Sequence, residues 1–273
     1  MRAESAMPGI VVAVLACASG ASGGVCLQAD LAPAVGDVDA QIRACTQTIE
    51  SAQATREERL DAQAARGVLF IKIGQFDLAI VDLTEVLRVR SQADEVYAER
   101  GMAYAAAKQP ELASIDFQRA LDINADNRQA LNQRAALFRG YGRYDLAIAD
   151  LNHSIALDQS DAWAVRERGL DRFSLHQYAD AITDFTRALA LGPANTRTIA
   201  FRGAAHYQLG EFEAALADLN RAVELDAFDP WPMYIRGLVK RKAGDAQGAA
   251  ADVKAALAIW PDAAAGVEKD GIR

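Results

Sequence analysis

Histidine is the side chain whose charge changes near neutral pH, and this chain of 273 residues carries three, His153, His176 and His206. None stands in an HExxH pair or beside a paired-cysteine motif, no glycine-rich phosphate loop is present, and no serine has a plausible histidine partner. Asp and Glu total 37, but carboxylates scattered along a chain ordinarily serve solubility rather than general acid–base work. The sequence therefore predicts no catalytic residue, no metal ligands and no cofactor, with structural roles for the histidines. The charged residues that do keep a spacing are of another kind. Arginine returns every 34 residues at Arg66, Arg100, Arg134, Arg168, Arg202 and Arg236, and aspartate at Asp82, Asp116, Asp150, Asp184, Asp218 and Asp252. A feature that every repeat carries belongs to the architecture, so these twelve residues read as a structural ladder. Each Asp is expected to pair with the Arg of the following repeat, because guanidinium and carboxylate match as a fork.

The elements that would place these charges follow from the same period. The phrase YDLAIADLNHSIALDQSD, from Tyr144 to Asp161, nearly repeats as FEAALADLNRAVELDAFD, from Phe212 to Asp229. Set in register, six units run without a gap: 60–93, 94–127, 128–161, 162–195, 196–229 and 230–263. Position 8 of these units is Gly67, Gly101, Ala135, Gly169, Gly203 and Gly237, and position 20 is always alanine. Glycine weakens a helix, so its return at one slot implies that a neighbouring helix leaves no room for a side chain. Position 24 is bulky each time, and positions 28 and 30 are aliphatic. Spacings of four with small residues answering large ones describe amphipathic helices, two to a unit. The turn falls near position 15, at Gly74, Gly142, Gly210 and Gly244, and Asp94, Asp161, Asn195 and Asp229 are candidate helix caps.

AERGMAYAAAKQPELASIDFQRALDINADN and AFRGAAHYQLGEFEAALADLNRAVELDAFD resemble the tetratricopeptide repeat family, a 34-residue helix pair with small and aromatic marks at fixed offsets. The resemblance covers 60–263 and implies an all-α, right-handed α-solenoid of stacked antiparallel helix pairs. Residues 24–59 form an amino-terminal segment in which 37–51 looks like the second helix of a partial repeat. Residues 264–273 read as a short cap, with Gly271 at position 8 of a truncated seventh unit. Position 11 departs from the pattern: Phe70, Tyr104 and Phe138 give way to Arg172, His206 and Lys240, so the second half packs differently there. Pro110 also stands at position 17, where an aromatic is usual, and a helix start tolerates it.

In the family the first helices line a concave groove through positions 2, 5, 6, 9, 12 and 13. The early units place small or acidic residues there, among them Ala64, Ala65, Glu95, Ala98 and Glu99. The later units offer Asn132, Arg139, Trp163, Arg166, Phe173, Arg197, Phe201, Tyr207, Trp231, Tyr234 and Arg241. Arg, Trp and Tyr are the anchors that interfaces favour, so these residues are the expected partner site, with packing in the core as the competing role for the aromatics. The resemblance implies a protein-interaction scaffold binding a peptide or helical segment, here one bearing acidic or carboxylate groups. The alternative is a small ligand or glycan held by the aromatic half. The Lys-x-x-Gly-Asn carboxylate clamp of some members is absent, since Ala64, Ala65, Arg66, Gly67 and Val68 stand there.

A net charge of −8 argues against nucleic acid as a partner. Residues 1–23 read as a signal peptide, with an apolar run from Ile10 to Ala18 too short to span a bilayer, or else as a disordered tail. The first reading implies export to a periplasm or beyond, with Cys17 as a weak match to a lipid-anchor site; the second leaves the protein in the cytoplasm. Export would leave Cys26 and Cys45 as an even pair, and a disulfide between them competes with Cys45 as a simple core residue. Oligomeric state is not legible.

Overall fold

The computed structural model describes residues 37–193 and 195–272, and among these every regular element is an α-helix. In chain order they are α1 (Val38–Glu50), α2 (Arg56–Lys72), α3 (Phe76–Val89), α4 (Asp94–Ala106), α5 (Pro110–Ile123), α6 (Arg128–Gly140) and α7 (Tyr144–Leu157). Then follow α8 (Ala162–Ser174), α9 (Tyr178–Leu191), α10 (Thr196–Gln208), α11 (Phe212–Leu225), α12 (Pro230–Lys242), α13 (Ala246–Ile259) and α14 (Ala263–Lys269). Phe76, Pro110, Tyr144, Tyr178, Phe212 and Ala246 each open the second helix of a pair, 34 residues apart. From α1 to α13 each helix packs on its chain neighbours, and first helices touch the next first helix, as α4 touches α6 and α10 touches α12. The result is an α-solenoid. None of these helices is long and apolar enough to cross a membrane. The signal-peptide, Cys17 and Cys26 readings concern residues outside those described.

The small residues at position 8 are where the two helices of a pair meet. A Cβ added to Gly101 would sit 2.6 Å from the Phe117 ring of α5, and one on Gly169 would sit 2.7 Å from Phe185 of α9. Both rings are fully buried. Glycine thus lets a large residue of the second helix lie against the first helix backbone, which is the density that protein interiors require.

Position 15 has one backbone shape in all six units, although only four of its residues are glycine. Gly74, Gly142, Gly210 and Gly244 have φ between 70° and 91°, while Lys108 and His176 have φ of 59° and 61°. The hairpin demands the left-handed conformation there, and the two side chains accept it at a cost of about 1 kcal/mol each. Helix starts are capped by side-chain oxygens of Asn127, Asp161, Asn195, Asp229 and Asp245, and by a capping box of Thr55 with Glu58. Asp94 differs from the expectation. Ala93 is the cap residue, and Asp94 begins α4 with its carboxylate accepting from the Asn124 and Asn127 amides. Gly271 also differs, because α14 stops at Lys269 and Gly271 turns left-handed at φ 80° instead of continuing a helix.

Candidate functional site

The ladder forms within each unit, and the expectation of pairing with the following unit is corrected. Arg66 holds Asp82 through Nε and Nη2 at 2.7 and 2.8 Å, and Arg100 holds Asp116 at 2.8 and 2.8 Å. The same two-toothed contact joins Arg134 to Asp150, Arg168 to Asp184, Arg202 to Asp218 and Arg236 to Asp252. Positions 7 and 23 lie equally far from the turn at 15, so an antiparallel pair brings them level. The remaining Nη1 reaches backward to the preceding unit, where Thr84, Gln118, Asn152, Thr186 and Asn220 accept from it. Arg66 finds Thr46 of α1 in the same way. Hydrogen bonding to the partner Asp raises the pKa of Arg66, Arg100 and Arg202 further, against the opposing effect of burial.

This geometry explains position 11. In early units the aromatic lies beside the ladder arginine, with Arg66 5.7 Å from the Phe70 ring centroid, Arg100 5.6 Å from Tyr104 and Arg134 5.7 Å from Phe138. In later units the slot holds a cation that joins the same aspartate: Arg172 meets Asp184 at 2.7 Å and Lys240 meets Asp252 at 2.8 Å. His206 stands 4.0 Å from Asp218 and 2.5 Å from Glu211.

On the first-helix face the expected residues separate into three groups. Arg139 and Arg166 are neutralised by acids that sequence reasoning missed. Arg139 of α6 bridges to α8, where it binds Glu167 and, at 2.5 Å, the fully buried Asp171; Arg166 adds a 2.8 Å contact to Glu167. Burial works against the Arg139 charge, but the Asp171 hydrogen bond and the Glu167 charge outweigh it and its pKa rises. Burial pushes the Asp171 carboxyl up, with Arg139 pulling it back. Phe173 and Tyr207, expected to line the groove, are instead core residues at 3% and 6% exposure. Phe201, Trp231 and Tyr234 are half-buried against that same cluster, and Trp163 against another around Leu151 and Ile155.

The third group stays open. Arg197 is exposed, makes no ion pair among the described residues, and lies 5.5 Å from the Phe201 ring centroid. Phe201 in turn is 4.6 Å from the Trp231 ring, and Arg241, in the last turn of α12, is exposed. Asn132 is half-buried, and its Oδ1 has no hydrogen-bond partner. A second unpartnered acceptor, Oε2 of Glu99, lies on α4, where burial, with the Glu95 charge adding, raises its pKa to about 8. An outer row of exposed apolar residues, Leu78, Val81, Leu112, Ile115 and Leu146, was also missed. It was legible, since large apolar residues stand at positions 19 and 22 in the early units alone. No group of three or more His, Cys, Asp or Glu among the described residues could hold a metal ion. Cys45 is buried and disulfide-bonded.

A family model described as tetratricopeptide repeat matches residues 64–128 and 166–230. Over these two segments the chain is similar to tetratricopeptide repeats. Among solved structures, the chain is similar to pilF from Pseudomonas aeruginosa, at 18% identity and a TM-score of 0.67, covering 80% of this chain and 99% of that one. It is similar to YrrB, described as a TPR protein with an unusual peptide-binding site, at 17% identity, 68% and 97% coverage and a TM-score of 0.60. MamA from Desulfovibrio magneticus RS-1 is similar at 18% identity, 61% and 94% coverage and a TM-score of 0.58. At such identities the likeness is one of fold. No curated protein sequence matches the chain.

Proposed function

We propose that this tetratricopeptide stack is a scaffold that holds a segment of a partner protein against the first-helix face of α8, α10 and α12. The observation that carries this reading is Arg197, an exposed guanidinium with no close ion pair among the described residues and only the longer-range charge of Asp229 nearby, braced by the Phe201 ring, which packs on Trp231. Cations kept in place over aromatic rings are what interface anchors require, because little side-chain entropy remains to be lost on binding. The reading assigns the partner a carboxylate for Arg197 and makes Arg139 and Arg166 supports rather than contacts, since buried acids already satisfy them. YrrB, similar in fold, is described as having a peptide-binding site, which suits the same class of ligand. The glycan alternative has no such support, because the rings that would stack on sugars are packed against one another.

A photo-crosslinker at position 241, which leaves Arg197 in place, with position 115 on the outer row as the control, tests this in cells. The protein captured from 241 alone is then titrated against wild type and Arg197→Glu. Binding at least tenfold weaker for the variant, with a loss of salt sensitivity, is the expected result. Equal affinity for both would move the site elsewhere.

A further inference from the structure

A terminal unit of a solenoid has to cover the apolar face of the last complete unit, and α14 packs on α12 as that role requires. The residues after α14 reach farther than a cover needs. At the end of α14 the chain reverses: Gly271 takes its left-handed turn and the Ile272 amide donates back to the Val267 carbonyl at 3.2 Å. This reversal carries the chain to three successive units. The Trp231 indole Nε1 of α12 donates to Asp270 Oδ2 at 2.8 Å, and Gln208 Nε2 of α10 donates to the Gly271 carbonyl at 3.0 Å. The His176 ring, at the α8–α9 turn, lies so close that a Cβ on Gly271 would be 3.4 Å from Cε1. Ile272 is 2% exposed and belongs to the cluster of Phe173, Tyr207, Leu238 and Val267.

Trp231, Phe173, Tyr207 and Gln208 stand at positions 2, 12 and 13 of their units, the positions expected to meet a ligand. Covering α12 would leave α8 and α10 untouched. Segment 270–272 supplies what a bound peptide would: a carboxylate for an indole N–H, a carbonyl for an amide, and an aliphatic side chain for a buried apolar cluster. We infer that residues 267–272 are a ligand in cis for the face formed by α8, α10 and α12, and that a partner enters by displacing them. The partner segment then has the same order of groups: a carboxylate, next a glycine that fits under His176, next an aliphatic residue. This inference rests on the scaffold reading and narrows its ligand to acidic-glycine-aliphatic segments.

The probe is a labelled peptide spanning residues 262–272, titrated by fluorescence anisotropy against the full chain. Wild type should bind it at least tenfold more weakly than Ile272→Asp, whose own segment is released; a peptide carrying Asp in place of the isoleucine should bind neither. Equal binding to both chains, with circular dichroism showing both folded, would overturn the inference. Should Ile272→Asp fail to fold, Gln208→Ala and Trp231→Phe serve instead, read by hydrogen exchange. Faster exchange confined to 267–272 is expected, whereas unchanged protection there would make the segment a fixed cap. Were the protein captured from position 241 to bind wild type and Ile272→Asp equally, the scaffold reading would survive while displacement failed.

Discussion

Glu99 offers the sharpest test of the packing described here. It is 3% exposed on α4, its Oε2 accepts no hydrogen bond, and its carboxyl pKa is raised from 4.5 to about 8 by burial first and by the Glu95 charge second. A carboxyl whose folded pKa lies above its unfolded value holds its proton longer in the native state. Stability from this group is therefore complete below pH 4.5 and declines as pH rises toward 8, after which it is level. Each pH unit inside that window costs about 1.4 kcal/mol, so Glu99 lowers stability at pH 7 by about 3 kcal/mol relative to its protonated form. Glu99→Gln keeps the shape and removes the titration. Urea unfolding of both proteins, followed by circular dichroism, should show the variant ahead by under about 1 kcal/mol at pH 5 and by about 3 kcal/mol at pH 7, widening again by pH 9. Taking the difference cancels the titrating groups that do not interact with Glu99, which leaves Glu95 as the one neighbour whose titration also changes. A gap that stays constant from pH 5 to pH 9 would refute the argument, because it would mean that Glu99 ionises as freely in the fold as outside it.

The ladder makes a prediction through its buried carboxylates: Asp116→Ala leaves Arg100 without its forked partner and should destabilise by about 3 kcal/mol in the same assay, with loss under about 1 kcal/mol marking a solvated pair. Gly101→Ala drives a methyl into the Phe117 ring and should cost about 1–3 kcal/mol, while Gly140→Ala, with open space around it, should cost nothing measurable. Lys108→Gly should raise stability by up to about 1 kcal/mol, because it relieves the left-handed strain at φ 59°; a clear loss would show that another contact holds that turn. Peptide mapping without reductant should join Cys45 to Cys26, and reduction should remove about 3 kcal/mol; a Cys45 peptide linked elsewhere would refute that pairing.

Several features of the stack were visible in the residue order because they are local to one hairpin. Glycine at position 8 facing a bulky residue at position 24 concerns two helices joined by a short turn, and small against large announces their contact. The Arg–Asp pairing was open to the same logic and was misassigned, although positions 7 and 23 are equidistant from the turn. Only afterwards did the free Nη1 of each arginine supply the link between units. The Arg139 cluster was less accessible, since Glu167 and Asp171 belong to the next first helix and their approach depends on how hairpins stack.

The 34-residue period alone was enough for helix pairs, their order and the turn that reverses them, because hydrophobic spacing and glycine placement act over short separations. Which face of that stack is covered was settled in three dimensions. Phe173 and Tyr207 occupy slots that could equally meet solvent, a partner or the interior, and what buries them is a cluster that includes Ile272, far along the chain. A period describes neighbours; it carries no record of a segment that folds back across three of them.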